Sequence, residues 1–212
     1  MLIAIPLYHG FAATDAIGPY EVLARLPGAR VVFVSTTPGP VVADTGFLTM
    51  LAEPLSAAAA PDVIVVPGAP SRHLPLHDKA LLEWLVAVDA TSQWTTSVCT
   101  GSYILAAAGL LRGKRAVSHW LDVDSLAKFG AVPVRDRYVF DGKIVTAAGM
   151  SAGYDMSLAL AARIAGDEVA QAIQLGLEYD PQPPFDSGSP EKAPESVVAR
   201  VRARAARQSV AT

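Results

Sequence analysis

The chain has 212 residues, of which 51% are hydrophobic and 17% are charged, a composition too apolar for a disordered protein. Its formal net charge of −3 argues against a general nucleic-acid binder, because neutralising phosphates requires a basic face. The single cysteine, Cys99, excludes an intramolecular disulfide and every cysteine-rich zinc site.

The N-terminal segment MLIAIPLYHG predicts a buried strand rather than a targeting signal. It has no basic n-region, and Pro6 interrupts its apolar run. No stretch of the sequence approaches the roughly 18 apolar residues of a membrane span. We therefore expect a cytoplasmic protein that does not bind membranes.

Short apolar runs rich in β-branched residues predict strands that are buried on both faces. Continuous rather than alternating hydrophobicity is typical of a parallel sheet covered on both sides. The predicted strands are residues 2–7, 30–35, 62–66, 94–98 and 143–147. A hairpin is predicted at 139–143, with Asp141-Gly142 as its turn.

Helical patterns alternate with these strands, at residues 15–26, 81–88, 102–111 and 154–165, and Gly166 ends the last helix. The alternation predicts an α/β fold with a doubly wound, mostly parallel sheet sandwiched by helices. A proline-rich segment, 180–194, and an arginine-rich helix, 195–208, form a C-terminal extension of an expected single domain, 1–212. We interpret that helix as a solvated terminal helix rather than a partner-binding one.

Cys99 is the residue that points most directly to chemistry. It ends the fourth predicted strand and is followed by Thr100, Gly101 and a helix, and ligands of open α/β sheets bind at this edge. A cysteine on such a turn resembles a nucleophile elbow. The helix N-terminus is expected to lower the thiol pKa. The competing interpretation is an inert buried cysteine.

The loop after the third strand, Pro67-Gly68-Ala69, lets backbone amides approach a ligand closely. If its strand neighbours that of Cys99, the amides of Ala69 and Thr100 could form a pair resembling an oxyanion hole. The competing interpretation is an ordinary tight turn.

Asp15 opens the first helix at the same edge of the sheet. A carboxyl beside a thiolate would have a raised pKa, which suits a proton donor. The competing interpretation is a carboxylate at the helix N-terminus that interacts favourably with the helix dipole. The residues alone leave both interpretations open. His119 could pair with Cys99 as in papain-like enzymes, and Met150 could line the same edge, but sequence spacing fixes neither contact. No metal-ligand spacing is present, so we expect no metal.

The run TSVCTGSYILAAAGLLRGKRAVSHW, residues 96–120, resembles the ThiJ/PfpI superfamily, whose fold is flavodoxin-like, of the class I glutamine amidotransferase type. More narrowly, the chain resembles the isonitrile hydratases, also called cyclohexyl-isocyanide hydratases. The segments DAIGPYEVL, DVIVVPG, AAGMSAGYD and LEYDPQPPFDSGSP support this resemblance.

The resemblance implies a cofactor-independent hydro-lyase that converts an isonitrile into an N-substituted formamide, and a homodimer. It places the nucleophile on Cys99, the acid on Asp15 and the following threonine on Thr100. Cys99 attack and Asp15 protonation would give a thioimidate that water resolves. The reverse division, with Asp15 as the base for water and Cys99 as the acid, stays open. Ala69 replaces a glycine that is common in the family, and with the loop 70–76 it bears on substrate size.

Two alternatives come from the same superfamily. One is a stress-type protease, deglycase or chaperone, whose members often carry a glutamate at the acidic position. The other is a ligand-sensing domain related to AraC-type regulators, which would be expected to carry roughly 100 further residues with two helix-turn-helix units. The Cys-Thr pair together with Asp15 favours the hydratases.

Overall fold

The computed structural model describes residues 1–70 and 73–210, with backbone alone for 208–210. In this part of the chain an eight-stranded sheet has the order β3-β4-β2-β1-β5-β6-β10-β9, beside a two-stranded sheet of β7 and β8. The strands are β1 (Leu2–Pro6), β2 (Arg30–Ser35), β3 (Gly39–Val42), β4 (Thr49–Pro54), β5 (Val63–Val66), β6 (Trp94–Val98), β7 (Arg115–Ala116), β8 (Val132–Pro133), β9 (Tyr138–Asp141) and β10 (Ile144–Ala147).

The centre of the large sheet is parallel, and both edges are antiparallel. Strands β4, β2, β1, β5, β6 and β10 run in parallel, whereas β3 and β9 close the two sides in antiparallel pairs. All four residues of β5 and all four of β10 are buried, as expected for strands covered on both faces. This confirms the predicted mostly parallel α/β sheet flanked by helices, and the Asp141-Gly142 turn joins β9 to β10 as predicted.

Six α-helices accompany the sheet in the described residues: α1 (Ala13–Leu23), α2 (Lys79–Asp89), α3 (Gly101–Ala107), α4 (Ala152–Ala165), α5 (Asp167–Gly176) and α6 (Glu195–Val210). Two 3-10 helices lie at Leu55–Ala58 and Val123–Phe129. Asp78 caps α2 by accepting a hydrogen bond from the Leu81 amide at 3.1 Å, which satisfies one free helix-end donor. Gly166 ends α4 with a φ of 91°, a value that favours glycine.

Several elements differ from the prediction for identifiable reasons. The hairpin of β3 and β4 was not predicted, because half of its residues are exposed and its apolar pattern is broken. The helix α5 was missed because it is polar and buries only Ala170 and Ile173. The predicted helix 102–111 already ends at Ala107, and Gly109 beyond it has a φ of 81°.

The C-terminal extension lies on the outside of the molecule. Residues 180–194 form no helix or strand and are mostly exposed, and α6 includes the predicted helix 195–208. The Arg202 guanidinium lies 5.6 Å from the centre of the Trp120 ring. The single domain, 1–212, stays a prediction, and its residues 71, 72, 211 and 212 lie outside the described part of the chain.

Candidate active site

Cys99 lies on the predicted turn between β6 and α3. Its φ of 57° is in the left-handed region, which is strained for any residue with a side chain. The Cys99 amide donates to the carbonyl oxygens of Ala147 and Ala148 at 3.0 and 2.8 Å. At Gly101, a Cβ would lie 2.2 Å from the Val66 carbonyl oxygen. The turn is therefore held from two neighbouring strands, and only glycine fits directly after Thr100.

Asp15 lies in the first turn of α1, at the same edge of the sheet, and is fully buried. Its Oδ2 accepts a hydrogen bond from the Gly68 amide at 3.0 Å. Its Oδ1 is buried without a hydrogen-bond partner in the described residues, and the Cys99 thiol lies close enough to lower the pKa of the carboxyl. The structure thus brings together the acid and the thiol that the sequence placed at this edge.

Burial raises the pKa of Asp15 from 3.8 to about 7. The Gly68 amide and the Cys99 thiol oppose this shift by stabilising the ionised carboxylate, whereas the charge of Asp44 adds to it. A carboxyl that titrates near neutral pH is suited to take up and return a proton.

Thr100 ties the cysteine turn to the loop after β5. Its hydroxyl donates to the Ala69 carbonyl oxygen at 2.6 Å and accepts from the Ala69 amide at 2.9 Å. A Cβ on Gly68 would lie 2.6 Å from the Thr100 Oγ1 and 2.9 Å from the Asp15 Oδ2. The absence of a side chain at Gly68 is therefore what allows Asp15 and Thr100 to share one loop.

These contacts engage the Ala69 amide, one member of the predicted oxyanion pair, and its pairing with the Thr100 amide stays a prediction. The Ala69 amide is engaged by Thr100 and the Gly68 amide by Asp15, so neither is free to bind a substrate oxygen here. Gly101 acts through close backbone packing. Gly68 and Ala69, whose amides were predicted to approach a ligand, here hold the Asp15 and Thr100 side chains.

The pKa of the Cys99 thiol is raised well above its usual value. Burial is the main cause and the charge of Asp15 adds to it, while the amide and hydroxyl of Thr100 act in the opposite direction. This direction is opposite to the lowered pKa expected from the helix N-terminus, because Cys99 is only 7% exposed and burial disfavours the thiolate. Near neutral pH the thiol keeps its proton while Asp15 titrates beside it.

His119 and Met150 lie together on the far side of the cysteine turn. The His119 ring would be 3.1 Å from a Cβ on Gly149, and its Nδ1 accepts from the Leu121 amide at 3.3 Å. Burial lowers the pKa of His119, and His119 is not among the groups that shift the pKa of Cys99. A papain-like pair therefore has no support. Met150 is 47% exposed, and its contact with substrate stays a prediction.

Tyr8 is a residue that the sequence analysis missed. It is buried, and its hydroxyl donates to the Pro67 carbonyl oxygen at 2.8 Å. Its pKa is raised by burial and by the charges of Asp15 and Cys99, so it lies close to both groups. The signal was available, since Tyr8 follows β1 at the same edge of the sheet as Asp15.

Among the described residues, no group of His, Cys, Asp and Glu side chains is arranged to hold a metal ion. Within the same ranges, no helix is long and apolar enough to cross a membrane.

The sequence profile of the DJ-1/PfpI family matches residues 1–163. The chain belongs to the DJ-1/PfpI family. An isonitrile hydratase of Pseudomonas putida is 45% identical to this DJ-1/PfpI protein over 204 residues, which cover 96% of the chain and 90% of the relative. A helix-turn-helix transcriptional regulator of Pseudomonas aeruginosa is 29% identical over 181 residues, 84% of the chain but only 53% of the regulator.

Among solved structures, a ThiJ/PfpI family protein of Pseudomonas syringae superposes with a TM-score of 0.93 at 36% identity. The match covers 97% of this DJ-1/PfpI protein and 86% of the other chain. The resemblance drawn from residues 96–120 and its supporting segments is thereby confirmed, as is the fold that it implied.

Proposed function

We propose that this DJ-1/PfpI protein is an isonitrile hydratase, which adds water to an isonitrile to give an N-substituted formamide. The observation that carries the proposal is 45% identity to an isonitrile hydratase along nearly the whole of both chains. The geometry supports it, because one buried carboxyl whose pKa is raised to about 7 lies beside the one thiol of the chain.

The first step makes a thioimidate. Ionised Asp15 takes the proton of the Cys99 thiol as the sulfur bonds to the isonitrile carbon, and protonated Asp15 then delivers that proton to the same carbon. The thiol has thus been added across the carbon, giving R–N=CH–S–Cys99. This order of events suits a thiol with a raised pKa, since the sulfur is deprotonated only as it reacts.

The second step consumes water. As the water oxygen bonds to the thioimidate carbon, Asp15 takes a proton from that water and passes it to the nitrogen, which gives R–NH–CH(OH)–S–Cys99 and ionised Asp15. The carbon–sulfur bond then breaks, the sulfur recovers its proton from the hydroxyl, and R–NH–CHO leaves. No electrons are gained or lost, so the balance of the reaction includes only isonitrile and water.

Thr100 has a positioning role in this scheme. Holding water or the reacting nitrogen would compete with the two hydrogen bonds that the Thr100 hydroxyl makes to Ala69. Its amide faces the sulfur and lowers the thiol pKa. Thr100 therefore steadies the nucleophile as the charge on sulfur develops.

The reverse division of labour uses the same residues. Asp15 would activate water, and Cys99 would protonate the carbon without forming a bond to it. The raised thiol pKa favours this scheme as a second candidate, because a neutral thiol is an acid. Mass spectrometry of protein quenched during turnover separates the two, since only the first scheme adds the mass of the isonitrile to Cys99.

The proposal also covers the assembly and the location of the protein. We infer a homodimer that works in the cytoplasm on a small-molecule isonitrile, without a cofactor. The roles of protease, deglycase, chaperone or ligand-sensing domain have no observation in this site that favours them.

The test is incubation with a simple alkyl isonitrile in water enriched in oxygen-18. We expect the wild-type protein to produce the N-alkyl formamide with one oxygen-18 atom per molecule, and we expect Cys99→Ala to produce none above the rate without protein. Formamide production that is equal with and without protein would contradict the proposed function.

A further inference from the structure

One peptide unit at the site is hydrogen-bonded at both ends. The Pro67 carbonyl and the Gly68 N–H belong to the same planar amide. The carbonyl oxygen accepts from the Tyr8 hydroxyl at 2.8 Å, and the N–H donates to the Asp15 Oδ2 at 3.0 Å. A continuous chain of donors therefore runs from the Tyr8 hydroxyl through the amide to the carboxylate.

Hydrogen bonds connected in this way strengthen one another. A donor on the carbonyl oxygen draws electrons from the amide nitrogen, so its N–H becomes a stronger donor. The effect matters most where water is excluded, and both bonds here are buried.

We propose that Tyr8 is a positioning residue, which fixes and polarises the Pro67–Gly68 peptide unit so that its N–H holds the Asp15 carboxylate. Its importance for turnover rests on the proposed function, but its effect on Asp15 does not. Any buried tyrosine hydroxyl needs a hydrogen-bond partner. The partner of Tyr8 is the Pro67 carbonyl oxygen, which belongs to the same peptide unit as the N–H that binds Asp15.

The consequence is an adjustment of the pKa of Asp15. The Gly68 amide stabilises the ionised form and lowers that pKa against the effect of burial, so a stronger N–H donor lowers it further. The titratable groups that also act on this environment are Cys99 on the turn after β6 and Asp44 after β3. Tyr8 itself, after β1, stays neutral because its own pKa is raised.

The experiment is a pH titration of the carbon-13-labelled aspartate side chains, in which Asp15 is the signal absent from Asp15→Asn. In Tyr8→Phe we expect the Asp15 midpoint to rise by about 0.3 pH unit, from a 10–30% weakening of one charge-assisted hydrogen bond. The proton resonance of the Gly68 amide should move upfield, while that of Ala69, bonded to Thr100, stays in place.

Two further variants sharpen the test. Tyr103→Phe is the matched control, because Tyr103 also donates to a backbone carbonyl, that of Asp122, and its loss should leave the Asp15 midpoint unchanged. Replacing Tyr8 with 3-fluorotyrosine keeps the ring and strengthens the donor. It should lower the midpoint, and it provides the test if Tyr8→Phe does not fold.

An Asp15 midpoint that is the same in wild type and Tyr8→Phe, or in wild type and the fluorotyrosine protein, would overturn the proposal. A shift of equal size in Tyr103→Phe would also overturn it. Since these titrations need no isonitrile, a protein that fails to make formamide would contradict the proposed function and leave this result standing. Under that function, the acid limb of kcat/KM against pH should move with the Asp15 midpoint.

Discussion

Asp15 and Cys99 are the residues on which the account depends, and their protonation is coupled through burial in one site. Ionised Asp15 raises the pKa of Cys99, whereas the protonated Cys99 thiol stabilises ionised Asp15 and lowers the pKa of that carboxyl. The thiol therefore depends on its neighbour to lose a proton, rather than on a helix dipole.

Alkylation of Cys99 tests this directly. We expect the iodoacetamide rate of the wild-type protein to show an inflection above about 8.5, the value for an ordinary thiol. In Asp15→Asn the inflection should move to lower pH, because a neutral amide replaces a negative charge. A wild-type inflection below that of a free thiol would restore the interpretation first drawn from the sequence.

The raised Asp15 pKa also makes stability depend on pH. Folded Asp15 keeps its proton up to about pH 7, whereas the unfolded group ionises near 3.8. Between these values the folded state binds more protons, so the free energy of unfolding falls as the pH rises.

Asp15→Asn removes that dependence. The free energy of unfolding of the variant relative to wild type should increase between about pH 4 and pH 8, by at most about 4 kcal/mol. Urea titrations at both pH values measure it. A difference between the two proteins that stays constant with pH would show that Asp15 titrates normally.

At the scale of elements, the strands and the cysteine turn could be predicted because their signal is local. The run DVIVV predicts a strand buried on both faces, and Cys99, directly after the strand WTTSV, is predicted at the carboxyl edge of the sheet. The hairpin of β3 and β4 gave no such signal, because only Val41 and Ala52 of its residues are buried.

The site was predictable in part for the same reason. The sequence predicts the positions of Cys99, Asp15 and Thr100, because each lies where a predicted strand ends or a predicted helix begins. The hydrogen-bond partners of Gly68 and Ala69 cannot be predicted in this way, because they depend on how two loops meet across neighbouring strands. The thiol pKa could not be read from the sequence, since it depends on burial by residues distant in the chain.

The close approach of α3 to the loop after β5 gives a prediction at this scale. Gly101→Ala places a Cβ 2.2 Å from the Val66 carbonyl oxygen, so the turn must shift, and we expect a loss of about 3 kcal/mol or more. Gly176→Ala is the control, because a Cβ there meets nothing within 4 Å. Equal stability of the two variants in urea would mean that the turn is pliable.

At the scale of the whole molecule, the family resemblance predicts association of two copies. Sedimentation equilibrium at micromolar concentration should give twice the 22.2 kDa of one chain. A mass of one chain would contradict the predicted homodimer without affecting the chemistry of Asp15 and Cys99.

The central claim is that Cys99 and Asp15 together hydrate isonitriles, and its most direct measurement is formamide production by wild type and three variants under identical conditions. We predict no turnover for Cys99→Ala, a loss of about 10²–10⁴-fold for Asp15→Asn, and a smaller loss for Thr100→Val, which leaves the amide beside the sulfur. Circular dichroism confirms that each variant is folded. Wild-type rates in folded Cys99→Ala or Asp15→Asn would contradict the account.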